Sequence, residues 1–409
     1  MEANKQRGRI ALVYIPEQSS LPPNNLKQQT MPEYISILRR YDLDWLRVLA
    51  IATVFIYHSL RFFSLEDWHI KNPTTYQGIE NFENFLEIWM MPLIFIVSGA
   101  SVFFEMRKAK PARKFLHDKT LRLLVPLVVG IFTHSILQVY LERLSHGEFS
   151  GSLWAFLPHY FEGLYRLGGN FAWMGLHLWY LEVLFVFSML FLPLILWLRA
   201  GLGKKLLAKL GDRLAAPGAI YLLPLVAILS WKLLDPESLL GKDIFGWPLG
   251  HYLSFYLAGY LFASNERLTE SIRRSRWISF TGAFAATLLF FITQDHADLV
   301  VWFMILAFLG FARQYLSFSS PVLEYANQAV LPFYILHQPV LVLIGYFLVQ
   351  WQIPDFLKYL AIAIPSLVLT LRLYELLVRR FNLMRFLFGM KRMSREFQAI
   401  EYPLQGLHL

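Results

Sequence analysis

The sequence of 409 residues contains no cysteine. That absence excludes disulfide bonds, zinc sites built from thiolates and any reaction through an acyl-thioenzyme intermediate. Charged residues are also scarce, since Asp, Glu, Lys and Arg together make up 16% of the chain. Residues 1–43 are polar, contain four prolines and lack the long apolar core of a signal peptide. We expect them to form a cytosolic tail.

Apolar residues dominate what remains. They make up 56% of the sequence, and the mean hydropathy is +0.43, which is typical of a membrane protein rather than a soluble domain. The formal charge of +9 does not indicate a nucleic-acid partner, because the basic residues collect in alternate loops. The pattern therefore predicts a lipid bilayer as the surroundings of this chain and no nucleic acid as a ligand.

Ten segments are near the length of about 20 residues that a bilayer requires. They predict an all-α, polytopic bundle at residues 44–63, 83–105, 120–142, 175–199, 217–234, 247–264, 276–293, 296–313, 330–350 and 356–381. The seventh and eighth segments are separated by only two residues and are alternatively a single helical hairpin. A transmembrane domain over 44–381 follows, between a cytosolic tail at 1–43 and a second one at 382–409.

The loops predict an orientation. Basic residues concentrate at 107–119, 204–213, 267–276 and 379–395, whereas acidic residues occupy the opposite set of loops. Because cytoplasmic loops of membrane proteins carry an excess of Lys and Arg, both termini are predicted to be cytoplasmic.

Two ionisable residues lie inside the first apolar segment, Arg47 and His58. Such side chains are costly in hydrocarbon, so their presence there indicates function. Eleven helical steps of about 100° end within about 20° of three full turns and span about 16 Å. Both side chains are therefore predicted to project from one helix face, with Arg47 near the cytoplasmic boundary and His58 beyond the midplane.

Other polar positions lie at comparable depths in later segments. Ser98 and Gly99 form a small pair in the second segment, and Arg122 lies just inside the cytoplasmic end of the third. The remaining positions are His177, Trp179 and Tyr180 at the start of the fourth segment, His337 before Pro339 in the ninth, and Glu375 in the tenth. Pro339 is expected to interrupt its helix and to free backbone carbonyls.

These motifs resemble membrane-bound acyltransferase family 3 over nearly the whole chain. The resemblance rests on residues 43–47 continuing to His58 (an Arg, ten residues, then His), and on 95–99, Arg122 with Pro126, 177–181 and 334–339. The segment 43–72 with His69, and the motif at 177–181, are most similar to the branch that succinylates periplasmic glucans. Where a Ser-Tyr pair is often found before the late His, this sequence has Leu331-Pro332-Phe333-Tyr334.

The resemblance implies a bacterial inner-membrane enzyme that transfers an acyl group from cytoplasmic acyl-coenzyme A to a carbohydrate or related acceptor. Acyl-coenzyme A would be a substrate, with no permanently bound cofactor and no metal. The residues fit this chemistry, because attack of an alcohol on a thioester needs a base, and burial favours the neutral imidazole. We therefore predict His58 as the general base. Arg47 and Arg122 are predicted to hold the phosphates of coenzyme A.

Ser98, Gly99, Trp179 or Tyr180 would line the site of the thioester carbonyl, and the acceptor would enter past His177 and His69. Each assignment has a structural alternative. Arg47 and Arg122 are also typical of headgroup anchors, 177–180 of an aromatic belt, and Ser98–Gly99 of helix packing. His337 and Glu375 are alternatively a polar pair between the last helices.

Two other function classes remain open. A secondary transporter or lipid-linked-sugar flippase also places charges at mid-membrane depth, although no repeat is visible. The unrelated membrane-bound O-acyltransferases use a late His and an Asn, here matched by His337 and Asn327.

Overall fold

The computed structural model describes residues 39–107, 110–224, 249–293 and 297–393. Its helices are α1 (Tyr41–Leu60), α2 (Gln77–Arg107), α3 (Ala112–Lys119), α4 (Val125–Ile131), α5 (His134–Ser145), α6 (Leu153–His159), α7 (Trp179–Leu190), α8 (Leu192–Leu198), α9 (Gly201–Leu214), α10 (Leu249–Ser264), α11 (Glu266–Arg274), α12 (Arg276–Thr293), α13 (Ala297–Tyr315), α14 (Pro321–Leu348), α15 (Asp355–Leu373) and α16 (Asn382–Leu387). Wider π turns join α3 to α4 at Thr120–Leu124 and follow α15 at Tyr374–Val378.

The predicted all-α membrane architecture is confirmed. Within the described ranges, seven helical stretches are long and apolar enough to cross a bilayer: Tyr41–Leu60, Gln77–Arg107, Ala112–Ser145, Arg276–Thr293, Ala297–Tyr315, Pro321–Leu348 and Asp355–Val378. The only β pairing among the described residues is an isolated bridge between Leu164 and Phe171. The chain is therefore a multi-pass membrane protein.

The predicted number of ten spans is not confirmed. The fourth predicted segment is bent by 52° between α7 and α8, and it makes an eighth span only if the two halves count as one. The sixth corresponds to α10, whose 16 described residues are short for a crossing. Most of the fifth, at 225–234, lies outside the described residues, as do 1–38 and 394–409 of the two tails. The seventh and eighth predicted segments are separate helices, α12 and α13.

Glycines allow α2 and α10 to pack with their backbones in close contact. A Cβ atom on Gly99 would lie 1.8 Å from the carbonyl oxygen of Tyr256, and one on Gly259 would lie 2.0 Å from that of Ile96. No side chain fits at either distance, so both positions require glycine. Small residues are the usual means by which membrane helices approach one another.

Helices α1 and α14 pack side by side and run in the same direction. Arg47 on α1 contacts Asn327 on α14, and His58, eleven residues further along α1, contacts His337, ten residues further along α14. The rise along α1 between the two contacts is about 16 Å. The shared helix face predicted from the spacing of Arg47 and His58 is thus the face that packs on α14.

The segment between α1 and α2 is tied to the last two spans. Asn72 donates to Asp355 at 3.0 Å and accepts from Lys358 at 2.7 Å, and Tyr76 donates to Asp355 at 2.7 Å. Lys358 also donates to the carbonyl of Val349. These bonds satisfy a lysine that is 4% exposed and hold residues 61–76 across the end of α1. That segment forms part of the wall of the cavity described next.

Candidate active site

A cavity of about 360 Å³ lies at the carboxyl-terminal end of α1. Five parts of the chain build its wall: the end of α1, the segment 61–76, the end of α5, the connection 165–179 leading into α7, and α14. The lining residues that matter below are Tyr57, His58, Arg61, Asp67, Trp68, His69, Glu142, Tyr165, Trp173, His177, Trp179 and Gln338. The wall thus combines indole rings with carboxylates, guanidinium groups and imidazoles.

His58 is oriented by His337. The Nδ1 atom of His58 lies 2.9 Å from Nε2 of His337, and Nδ1 of His337 lies 2.6 Å from the carbonyl oxygen of Tyr334. A carbonyl only accepts, so Nδ1 of His337 carries the proton and its Nε2 is the acceptor. His58 must then donate from Nδ1. When both imidazole rings are neutral, the nitrogen of His58 that carries no proton is Nε2.

Pro339 contributes to the position of a third imidazole. Helix α14 continues past this proline without a break, contrary to the interruption that the sequence predicts. However, Pro339 has no N–H to bond the carbonyl four residues earlier, which belongs to Ile335. His177 Nε2 takes that carbonyl as its acceptor at 3.2 Å, and the hydroxyl of Tyr334 donates to the carbonyl of His177. Pro339 thus leaves the carbonyl of Ile335 without a backbone donor, as the sequence predicts, and the bond to this carbonyl holds His177 against α14.

A histidine–carboxylate pair forms another part of the wall. His69 Nδ1 bonds a carboxylate oxygen of Glu142, which also accepts from the hydroxyl of Tyr165 at 2.6 Å. Burial and the charge of Glu142 raise the pKa of Tyr165, which keeps this hydroxyl protonated. Gln338 Nε2 lies 3.1 Å from Nε2 of His69. His69 thereby connects α5 to the residue that follows His337.

Two basic side chains at the same end, Arg61 and Lys71, have carboxylates or backbone carbonyls as partners. Arg61 pairs with Glu66 and lies 3.7 Å from Glu83. Lys71 donates to the carbonyls of Arg61 at 2.6 Å and Glu66 at 2.8 Å. Burial, aided by the charge of Arg61, lowers the pKa of Lys71 from 10.5 to about 8. The charged groups of Arg61 and Lys71 are therefore already engaged within the protein.

The Arg47 end of α1 has a different character. Arg47 donates to Asp44 at 3.0 Å, to Asn327 at 3.1 Å and to Ser101 at 2.7 Å, and its side chain is 23% exposed. Arg122, on the first π turn, lies within electrostatic reach of Arg47 and Glu105. Its side chain is exposed, and no hydrogen bond to it is found within the described part of the chain.

The remaining predicted residues divide between the site and its support. Trp179 lines the cavity, whereas Ser98 and Tyr180 bond each other at 2.5 Å beneath it. Gly99 lies in the contact between α2 and α10, which agrees with the alternative that this position serves helix packing. Glu375 pairs with Arg379 at 2.9 Å, whereas His337 bonds His58. The alternative of a His337–Glu375 pair is therefore wrong, because the two side chains have other partners.

Glu142, Tyr165 and Gln338 were not predicted from the sequence. Glu142 ends an apolar run beside Arg143, and an acid at such a position is a signal of function in a membrane protein. Gln338 lies within the motif at 334–339 without having been assigned a role. In the described residues, no group of three or more His, Cys, Asp or Glu side chains is arranged to hold a metal ion.

Comparison with known proteins gives this arrangement a family. A family model described as an acyltransferase domain matches residues 40–375, which include α1, the cavity and α14. The chain belongs to membrane-bound acyltransferase family 3. It is accordingly an acyltransferase.

Several relatives of this acyltransferase carry the same name. Glucans biosynthesis protein C of Escherichia coli O139:H28 (strain E24377A / ETEC) is 23% identical over 379 residues, covering 86% of this chain and 95% of the relative. The protein of that name from Salmonella heidelberg (strain SL476) is 20% identical over 374 residues, with the same coverage. No solved structure matches the chain.

Proposed function

We propose that this acyltransferase moves an acyl group from cytoplasmic acyl-coenzyme A to a hydroxyl of a carbohydrate bound in the cavity beside His58. The observation that carries the proposal is the hydrogen-bond chain from His58 through His337 to the carbonyl of Tyr334. It leaves a neutral imidazole with an unprotonated Nε2 on the wall of a cavity. A general base requires that state.

The reaction balances with one base. The acceptor oxygen attacks the thioester carbonyl while its proton passes to Nε2 of His58. The carbon–sulfur bond then breaks, and the proton is returned to the departing thiolate, giving an ester and free coenzyme A. During the intermediate step His58 is an imidazolium, and its Nδ1–H bond to His337 stabilises that charge, as an orienting group does in other His-dependent transferases and hydrolases.

The wall of the cavity supports a carbohydrate as the acceptor. Trp68, Trp173 and Trp179 offer flat apolar faces, and Asp67 and Glu142 offer acceptors for hydroxyl groups. A mixture of aromatic faces and a few polar groups is typical of small-molecule sites. The name of the relatives, glucans biosynthesis protein C, agrees with an acceptor of this class.

The opposite end of α1 supports an anionic donor. Arg122 is the better placed of the two arginines to bind a phosphate, because Arg47 already spends its donors on Asp44, Asn327 and Ser101. The basic loops on that side support a cytoplasmic orientation. We propose the inner membrane of a bacterium as the location, with the cavity opening on the outer face.

The test uses purified protein in detergent, labelled acyl-coenzyme A and a glucan oligosaccharide. We expect acceptor-dependent release of coenzyme A and labelled ester, and loss of both in His58→Gln. His134→Gln is the matched control, since His134 is a partly buried histidine on α5 that does not line the cavity. Retained transfer in His58→Gln would overturn the base. If wild-type protein transfers nothing but moves substrate across liposomes, it is a transporter.

A further inference from the structure

Two hydrogen-bond acceptors in the cavity wall have no donor. Nδ1 of His177 and Oε1 of Gln338 are buried and lack a partner among the described residues. Both side chains line the cavity next to His58, and they are 6% and 2% exposed. The ring centroids of His177 and His58 lie 6.5 Å apart.

The bonds around these atoms define their state. His177 donates from Nε2 to the carbonyl of Ile335, so in the neutral ring Nδ1 holds a lone pair. His69 donates from Nδ1 to Glu142, so its Nε2 accepts from the amide nitrogen of Gln338. That bond turns the amide oxygen of Gln338 away from His69. Each unpaired atom is therefore an acceptor.

Leaving a buried acceptor unpaired costs its desolvation free energy, and folded proteins contain few such atoms. Two on the wall of one cavity, both beside the base, indicate that a bound molecule supplies the missing donors. A hydroxyl-bearing ligand that binds against these two side chains would supply the missing donors.

We propose that His177 and Gln338 form a subsite for hydroxyl groups adjacent to the one that is acylated. The inference rests on the proposed function and narrows it to acceptors with neighbouring hydroxyls, such as a vicinal diol on a sugar ring. One hydroxyl donates to Nε2 of His58 while its neighbour donates to His177 or Gln338. A carboxylate or phosphate at this position is disfavoured, because it would place further lone pairs against two acceptors.

The experiment compares acceptors that differ by one hydroxyl. The probes are trans-1,2-cyclohexanediol against cyclohexanol, and methyl glucoside against its monodeoxy derivatives, all with one acyl-coenzyme A. We expect wild-type kcat/KM to favour the diol over the mono-alcohol by about tenfold or more, because a site built to bond a hydroxyl rejects the analogue that lacks it.

Variants then assign the preference to the two side chains. His177→Gln keeps a donor near the carbonyl of Ile335 but has no atom at the position of Nδ1. Gln338→Met keeps the length of the side chain and removes the amide oxygen. We expect either variant to lose most of the preference for the diol, while transfer to the mono-alcohol falls much less.

Matched controls come from α5. Gln138 is also fully buried with an unpaired Oε1, and neither it nor His134 lines the cavity. Gln138→Met and His134→Gln should keep the wild-type preference. A loss of preference in either control would overturn the assignment to the cavity wall.

The outcomes separate this inference from the proposed function. Equal transfer by wild-type protein to diol and mono-alcohol overturns the inference and leaves acyl transfer to hydroxyls intact. A full preference retained in folded His177→Gln and Gln338→Met overturns it as well. No transfer to any of the probes or to a glucan oligosaccharide overturns the proposed function. If both variants fail to fold, the wild-type comparison decides alone.

Discussion

The two ends of α1 differ in how their ionisable residue is paired. Arg47 donates to three neighbours on α1, α2 and α14. Among the described residues, the side chain of His58 makes one hydrogen bond, to His337, and His58 also lines the cavity. Saturated bonding is typical of a group that holds helices together, whereas a group that reacts needs a free lone pair. The difference supports the proposal that His58 acts as the base, and it favours a mainly structural role for Arg47.

The largest effect on turnover is expected at His58. In His58→Gln, kcat should fall by about 10²- to 10⁴-fold, the usual contribution of a general base. The midpoint of thermal unfolding in detergent should change little, because only one hydrogen bond between side chains is altered. A large loss of thermal stability together with the loss of activity would place His58 in the same structural class as Arg47.

Arg47 should show the opposite signature. Arg47→Met removes three hydrogen bonds from a charged group and leaves Asp44 without this partner, so we expect the free energy of unfolding to fall by about 2–3 kcal/mol. The measurement is thermal or chemical unfolding in detergent. Unchanged stability with a sharply raised KM for acyl-coenzyme A would instead make Arg47 a phosphate ligand.

Removing the partner of His58 should give an intermediate effect. His337→Leu deletes the acceptor for Nδ1–H of His58, and a lost hydrogen bond together with a misplaced tautomer should lower kcat by roughly 10- to 100-fold. His337→Gln offers an oxygen near the position of Nε2 and should recover part of this loss. If the two variants are equally impaired, His337 acts through packing rather than through its bond to His58.

A substitution at Arg122 tests whether the Arg47 end of α1 binds acyl-coenzyme A. Arg122→Met should raise KM for acyl-coenzyme A by about tenfold through loss of a charge-assisted bond to phosphate, with little change in kcat. Arg122→Lys should restore part of the affinity. The unfolding midpoint is the control, and it should remain near that of the wild type since no bond within the described chain is lost. A fall in kcat alone would contradict the assignment.

The last effect concerns the pH dependence of the free energy of unfolding. Because burial lowers the pKa of Lys71 from 10.5 to about 8, the unfolded chain binds a proton between these values that the folded chain does not. The free energy of unfolding should therefore rise with pH from about 8 to 10.5. Lys71→Met should remove this rise. Titration of unfolding midpoints in both proteins measures the difference, and parallel curves would contradict it.

Parts of this comparison are predictable from the sequence. The eleven-residue spacing predicts one helix face for Arg47 and His58, because helical geometry is local. The partner of His58 is not predictable in this way, since His337 is 279 positions away in the chain and its role depends on how α14 packs. Glu142 and Gln338 enter the site through contacts of the same kind with His69.

The errors in the predicted helices have physical causes as well. Hydropathy detects apolar length but not direction, so it does not show the 52° bend between α7 and α8, where Pro193 lies in the first turn of α8. Likewise a proline predicts a lost hydrogen bond but not a broken helix. At Pro339 the surrounding helices keep α14 continuous, and the unpaired carbonyl is bonded by His177.

The parallel contact of α1 with α14 has a mechanical consequence. The hydrogen bonds Arg47–Asn327 and His58–His337 both join α1 to α14. Moving one helix along the other by a single helical turn, about 5.4 Å, would break both bonds together. A shift in the register of one contact would therefore require a shift in the other, so the two contacts together fix the alignment of α1 on α14.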